Sequence, residues 1–96
     1  MDIFQLAREN RHQEILALIE DTRIVDDDAV MLLINERDDR GRTALHIAAT
    51  HGCNEAVVIL LRSSADHALL DWESGWTALH RALYFGHFRA ALLLIG

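Results

Sequence analysis

The chain has 96 residues, enough for one small domain, and its 15 acidic against 9 basic side chains give a formal charge of −6, which disfavours nucleic-acid binding. It has one cysteine and no apolar run long enough to cross a membrane. Its first residues lack the basic start and the apolar stretch that are typical of a secretory signal peptide. The composition therefore predicts a soluble intracellular protein, cytoplasmic or nuclear, with neither a disulfide scaffold nor a membrane span.

The first 37 residues begin with an apolar stripe at helical spacing, formed by Ile3, Leu6, Ala7, Ile15, Leu16, Leu18 and Ile19. Asn10 follows Ala7 by three residues, the spacing that separates Gly52 from Ala49 later in the chain. The neighbouring side chains are polar, which suits the hydrated outer face of a terminal unit: Arg8, Glu9, Arg11, His12, Gln13 and Glu14. We interpret residues 1–37 as an N-terminal capping unit.

Three consecutive aspartates, Asp26, Asp27 and Asp28, stand directly before the apolar segment AVMLLI. Carboxylates favour a helix N-terminus, so the pattern predicts a short extra helical segment inserted before residue 38. The spaced Asp-x-Asp-x-Asp-Gly pattern of a calcium loop is missing, which makes a solvated helix start the better interpretation. Such an insertion would reshape a neighbouring binding face.

The rest of the chain contains an internal repeat. GRTALHIAATHGCNEAVVILL, starting at residue 41, aligns without a gap with GWTALHRALYFGHFRAALLLI, starting at residue 75, so the offset is 34 residues. In each copy a Thr can cap a helix over 44–51 or 78–85, a Gly can end it, and a second apolar helix follows over 54–62 or 88–95. Small residues that allow neighbouring units to approach closely are Ala48, Ala49 and Ala82.

The segments DDRGRTALHIAATHG (38–52) and ESGWTALHRALYFGH (73–87) resemble the ankyrin repeat, whose hallmark is Asp-x-x-Gly-x-Thr-Pro-Leu-His-x-Ala-Ala-x-x-Gly. The resemblance implies an all-α solenoid of antiparallel helix pairs with finger loops, divided into units 1–37, 38–70 and 71–96. Departures from the family pattern are Ala44 and Ala78 in place of Pro, a linker over 66–75 that is one residue longer, and Ser64 where a Gly usually makes the turn. His46 and His80 occupy a position whose imidazole hydrogen-bonds loop backbone in this family.

No pattern for catalysis, a metal or a cofactor is present. The residues His46, His51, Cys53, His80 and His87 include neither a Cys-x-x-Cys pair nor a helical His-x-x-x-His pair. Cys53 lacks a local nucleophile signature and is interpreted as a packing residue. We therefore expect a non-enzymatic protein that needs no cofactor.

The family resemblance implies that another protein binds at the finger tips and at the concave ends of the inner helices. These positions are Asp39, Arg40, Arg42, Thr50, His51, Trp72, Glu73, Trp76, Arg81, Tyr84 and Phe85. Trp and Tyr are frequent binding hot spots, and Trp72 is the aromatic residue most expected to be free. Trp76 and Phe85 either serve the interface or cover an adjacent repeat, and Arg81 either meets an acidic partner or pairs with Asp71 or Glu73.

Residues 73–87 are also similar to the ankyrin segment of the inhibitor of Bruton's tyrosine kinase family, in which ankyrin repeats precede chromosome-condensation repeats and, in some members, BTB domains. This resemblance implies a recognition module of a larger adaptor, with cullin-type ubiquitin ligases as the expected setting. All nine basic residues are Arg, so the segment offers no lysine as a ubiquitin acceptor, although chance or an arginine-biased genome is the better explanation of this.

The chain ends in an apolar helix followed by Gly96, with no polar capping unit after it. We expect it to be a fragment of a longer protein. An apolar terminal helix is an association surface, so the alternative function is self-association, as a homodimer, through Leu92, Leu93, Leu94 and Ile95.

Overall fold

The computed structural model describes residues 1–96 and contains seven α-helices and no strand, which confirms the all-α prediction. The helices are α1 (Ile3–Arg8), α2 (His12–Val25), α3 (Ala29–Ile34), α4 (Ala44–Thr50), α5 (Asn54–Arg62), α6 (Ala78–Tyr84) and α7 (Phe88–Ile95). None of them is both long and apolar enough to pass through a bilayer. The two predicted inner helices end one residue early, because His51 and Phe85 are already cap residues.

Helices α1, α4 and α6 begin with the same type of cap. A side-chain oxygen of Asp2, Thr43 or Thr77 accepts a hydrogen bond from the backbone N–H three residues further on, at 2.9, 3.3 and 3.2 Å respectively. Each cap satisfies an N–H that the helix itself leaves unpaired. The predicted caps at Thr43 and Thr77 are confirmed, and Asp2 shows that the first unit starts in the same way.

The turns that end these three helices are also alike. Asn10, Gly52 and Gly86 have positive φ angles of 54°, 67° and 76°. In each turn the N–H of the next residue donates to a carbonyl five residues back, at 2.9, 2.9 and 2.8 Å. The equivalence of Asn10 with Gly52 is therefore confirmed, since both close a helix by the same left-handed turn.

The helices form two rows. In the inner row α4 packs between α1 and α6, and in the outer row α5 packs between α2 and α7. The alanines at the contacts of the inner row are fully buried, and their small side chains let the helices approach closely: Ala7, Ala48, Ala49 and Ala82. The result is one continuous core of 21 buried apolar residues shared by three stacked helix pairs. The unit boundaries at 37/38 and 70/71 stay a prediction.

Helix α3 is the predicted insertion between the first and second helix pairs. It packs against α2 and buries Val30 and Ile34. The amide of Asn35, just after the helix, donates to the Ser64 carbonyl at 3.2 Å and accepts from the Asp66 N–H at 2.7 Å. The insertion is thereby fastened to the turn after α5.

Two fingers, residues 38–42 and residues 71–76, precede α4 and α6. Each is closed by a backbone hydrogen bond, from Asp38 N to Arg42 O at 2.9 Å and from Asp71 N to Trp76 O at 3.0 Å. The second finger is thus one residue longer than the first, and the extra residue predicted between 66 and 75 lies in this turn.

Candidate protein-binding surface

Trp72 lies at the tip of the second finger and is 66% exposed. Its ring rests on Gly41 of the first finger, so closely that a Cβ atom at that position would overlap the Trp72 ring. The Arg37 guanidinium stands 5.6 Å from the ring centroid, and its Nη1 donates to the carbonyls of Gly41 and Leu70 at 2.8 and 2.7 Å. The indole is therefore held in place while much of it stays in solvent. Arg37 and Gly41 were missed as site residues, because their roles depend on contacts between two fingers.

The finger tips also carry charges that face each other. Arg40 Nε lies 3.1 Å from a Glu73 carboxylate oxygen, and both side chains are more than half exposed. Asp39 is exposed beside Arg40. The predicted candidates Arg40 and Glu73 are thus brought together as a solvated ion pair across the two fingers.

An aromatic strip runs along the concave end of the last helix pair, and we define it as Trp76, Tyr84 and Phe85. The ring centroids of Trp76 and Tyr84 are 5.0 Å apart, and those of Tyr84 and Phe85 are 5.1 Å apart in an edge-to-face arrangement. Trp76 is half-buried, whereas Tyr84 is 68% and Phe85 48% exposed. The structure therefore brings three of the predicted aromatic residues into one continuous strip, of which Tyr84 and Phe85 are exposed.

Arg81, another predicted candidate, is largely withdrawn from solvent. Its Nε donates to Asp71 Oδ2 at 2.9 Å, and the Asp71 side chain is completely buried. Burial acts to raise the pKa of Asp71, but hydrogen bonds from Ser74 and the Arg81 guanidinium outweigh it and hold that pKa well below its usual range. Of the alternatives for Arg81, internal pairing with Asp71 is what the structure shows, so little of the guanidinium is left for a partner.

The two repeat histidines behave differently. His46 is buried, its Nε2 donates to the Trp76 carbonyl at 2.9 Å, and its Nδ1 accepts from the Thr43 N–H at 3.2 Å. This confirms His46 as a brace for loop backbone. The same expectation for His80 is wrong: His80 is exposed and stacks on Trp76 with the ring centroids 4.2 Å apart. Within residues 1–96 its ring nitrogens make no hydrogen bond, and only its backbone N–H is bonded, to Thr77 at 3.2 Å.

The remaining candidates on the second helix pair are mostly engaged within the chain. Arg42 Nε donates to Asp38 at 2.9 Å, and the Thr50 hydroxyl donates to the His46 carbonyl at 2.8 Å. His51 is exposed, and its pKa is lowered first by partial burial and then by the positive charge of Arg8. Of Arg42, Thr50 and His51, only His51 is exposed.

The C-terminal helix α7 is less exposed than expected. Leu94 is only 7% exposed and belongs to the core, and Leu93 is half-buried against it. Leu92 and Ile95, by contrast, are 69% and 67% exposed. The expectation that all four residues form one exposed surface is therefore corrected, because a helix with buried neighbours on one face cannot present four consecutive residues to solvent.

No group of three or more His, Cys, Asp or Glu side chains is placed to hold a metal ion. Cys53 is buried, its thiol lies 3.6 Å from the Arg8 carbonyl, and burial raises its pKa. A raised pKa disfavours the reactive thiolate, in keeping with a packing role.

Comparisons with known proteins agree with this geometry. Ankyrin repeats, in three copies, match residues 3–96. The BTB/POZ domain-containing protein 1 of Schizosaccharomyces pombe is 49% identical over 65 residues, which cover 67% of this chain and 5% of that protein. The inhibitor of Bruton tyrosine kinase of Xenopus laevis is 47% identical over 60 residues, which cover 62% of this chain and 4% of that protein.

A third relative is the transient receptor potential cation channel subfamily A member 1 of Homo sapiens. It is 36% identical over 88 residues, which cover 92% of this chain and 7% of that protein. The chain thus spans less than a tenth of the length of each of these three relatives. What all of them share with it is the repeat, and the match over residues 3–96 shows that the chain belongs to the ankyrin-repeat family, a class of non-enzymatic modules that bind other proteins.

Proposed function

We propose that the chain binds another protein through the aromatic strip and Trp72. The observation that carries this proposal is the exposure of large aromatic rings on one end of the concave side, above all Tyr84 and Trp72. Both rings are held by neighbours, so little side-chain freedom is lost when a partner covers them. Exposed, pre-positioned Trp and Tyr side chains are typical binding hot spots.

The charges around this surface support a partner with an apolar anchor. Arg81 and Asp71 neutralise each other under the strip, and Arg40 pairs with Glu73 at its rim. The centre of the surface therefore presents apolar rings, and the paired charges lie beneath or beside them. This arrangement corresponds to the apolar core and polar rim of a protein interface.

We further propose that this module serves as the recognition part of a larger adaptor, in the setting of a cullin-type ubiquitin ligase. The support is the identity of 49% with a BTB/POZ domain-containing protein and of 47% with an inhibitor of Bruton tyrosine kinase. The absence of lysine from the segment is compatible with this setting, since the module itself offers no side-chain acceptor for ubiquitin.

The test is a comparison of three variants in the intact protein: Trp72→Ala, Tyr84→Ala and the control Leu32→Ala. Leu32 is an apolar residue on α3, outside the strip, and is at least as exposed as Trp72 and Tyr84. Partners are identified by cross-linking, and their affinities are then measured by calorimetry on folded variants. We expect each aromatic variant to weaken binding at least tenfold and Leu32→Ala to leave it unchanged. Equal affinities in all three variants would refute the proposed surface.

The ligase setting is tested separately. It fails if a partner that binds through the strip is not ubiquitylated in the presence of the intact protein.

Self-association through the C-terminal end is the second candidate function, because Leu92 and Ile95 are exposed on α7. Light scattering across a concentration series distinguishes it. A dimer that becomes a folded monomer in Leu92→Glu would favour self-association, whereas a monomer at all concentrations would leave recognition of a separate partner as the function.

A further inference from the structure

A groove lies between the inserted helix α3 and the turn after α5, away from the aromatic strip. We call it the insertion groove. Its volume is about 420 Å³, and the residues that line it include Arg23, Asp27, Asp28, Val30, Met31 and Ser63. The hydrogen bonds of Asn35 to the Ser64 carbonyl and from the Asp66 N–H fasten its two walls to each other. The insertion therefore adds a groove that the repeat pattern by itself does not provide.

Ser63 is a buried polar residue of this groove. It is only 8% exposed, and its hydroxyl makes no hydrogen bond within the chain. Its backbone N–H is satisfied by the Ile59 carbonyl at 3.1 Å, so the side chain alone lacks a partner. A buried hydroxyl without a partner is unfavourable. A molecule in the groove that donates a hydrogen bond to Ser63 Oγ would satisfy it.

The charges at the groove favour a cation. Arg23 Nε lies 3.2 Å from Asp27 and its Nη1 lies 3.1 Å from Glu20, so this guanidinium is already paired with two carboxylates. The Asp28 carboxylate is exposed and makes no hydrogen bond or ion pair within the chain. Three carboxylates against one guanidinium leave this region negative. An anion would be repelled here, whereas a cation would be attracted.

The apolar residues of the groove favour a side chain over a metal ion. Val30 is buried and Met31 is exposed, and both line the groove together with the carboxylates. Lysine and arginine side chains combine an aliphatic stem, which packs on such residues, with a cationic head. A metal site needs more ligands, and no group of three or more His, Cys, Asp or Glu side chains is placed to supply them.

We infer that the insertion groove binds a lysine or arginine side chain from a basic segment of a partner protein. The aliphatic stem contacts Val30 and Met31, the cationic head pairs with Asp28, and one of its N–H groups donates to the Ser63 hydroxyl. The groove shares no residue with the aromatic strip or Trp72. This inference is therefore independent of the proposed use of that surface.

The probe is the tripeptide acetyl-Leu-Arg-Leu-amide, and its neutral counterpart carries citrulline in place of arginine. Both peptides are titrated into the ¹⁵N-labelled chain, and binding is measured from the amide shifts of Met31, Ser63 and Ser64. We expect the arginine peptide to shift these amides with a Kd of about 1 mM or lower. The citrulline peptide should bind more weakly by roughly fivefold or more, because it lacks the charge.

Three variants separate the groove from the general negative charge of the chain. Asp28→Asn and Asp21→Asn remove the same charge, but Asp21 is an exposed residue of α2 that does not line the groove. We expect Asp28→Asn to weaken binding of the arginine peptide by roughly fivefold or more, and Asp21→Asn by less than about twofold. Ser63→Ala should also weaken binding without lowering the Tm, because the hydroxyl bonds to nothing else in the chain.

The inference is overturned if the arginine peptide shifts none of the three amides at about 10 mM, or if the two peptides bind equally. It is also overturned if Asp28→Asn and Asp21→Asn weaken binding to the same extent, since the attraction would then come from the overall charge. Shifts confined to Trp76, Tyr84 and Phe85 would place the peptide on the aromatic strip and would likewise overturn it.

Discussion

At the scale of single residues, His46 makes stability depend on pH. The pKa of its imidazole is lowered mainly by burial, which the hydrogen bond to Trp76 only partly offsets. Below the usual value of 6.5 the unfolded chain therefore binds more protons than the folded chain. We expect stability to be full above pH 6.5 and to fall as the pH drops towards the lowered pKa.

Urea denaturation at pH 7.5 and 5.5 measures this effect. We expect His46→Gln to be less stable at pH 7.5 by about 1–3 kcal/mol, because it loses the buried hydrogen bonds, and to lose less stability on acidification than the wild type. His51, whose pKa is also lowered, accounts for part of the remaining slope. His67→Gln, at an exposed position, is the control and should behave like the wild type. If the free energy of unfolding of His46→Gln falls between pH 7.5 and 5.5 by as much as that of the wild type, His46 is not the source of the pH dependence.

Two ion pairs of the same chain should differ sharply in their effect on stability. Asp71 is buried against Arg81, whereas Arg40 and Glu73 are solvated. We expect Asp71→Asn to lower the free energy of unfolding by about 3–5 kcal/mol, because it leaves the Arg81 charge largely buried without its counter-charge. Glu73→Gln should cost less than about 1 kcal/mol. Chemical denaturation of both variants at pH 7 measures the contrast, and similar losses would show that burial of Asp71 is not the deciding factor.

At the scale of the helical elements, the turns after α1 and α5 provide a matched pair. Asn10 and Ser64 both have positive φ angles, of 54° and 77°, a conformation that costs most side chains about 1–2 kcal/mol. The Asn10 amide accepts from the Ala56 N–H at 3.2 Å and donates to Glu55 at 3.1 Å. The Ser64 side chain makes no hydrogen bond, so only Asn10 gains a compensating interaction.

Replacement by glycine should therefore have opposite outcomes at these two positions. We expect Ser64→Gly to stabilise the chain by about 0.5–1 kcal/mol, since the strain is relieved and no contact is lost. Asn10→Gly should destabilise it by a similar amount, because two hydrogen bonds between helix pairs disappear. Thermal denaturation of the two variants checks the prediction, and a stabilised Asn10→Gly would show that the bonds from its side chain contribute little.

At the scale of the whole molecule, features that one repeat determines by itself were predictable from the sequence. The caps at Thr43 and Thr77, the turns at Gly52 and Gly86 and the inserted helix α3 all follow from local residue patterns. Features that depend on a neighbouring repeat were not predictable in this way. His80 follows the same Thr-Ala-Leu residues as His46 but lies in a different environment. For Arg81 the sequence left two acidic partners open, Asp71 and Glu73, and the structure shows that Asp71 is the one it contacts.

The stacking order of the helices also determines which helices unfold locally while the rest of the chain stays folded. Helix α4 has neighbours on both sides, α1 and α6, and all its residues up to Ala49 are buried. Helix α7 is covered on one side only. Amide hydrogens of α7 should therefore exchange with deuterium through local fraying, while those of α4 should exchange only when the entire chain unfolds. Protection should rise from the C-terminal helix towards the middle of the solenoid.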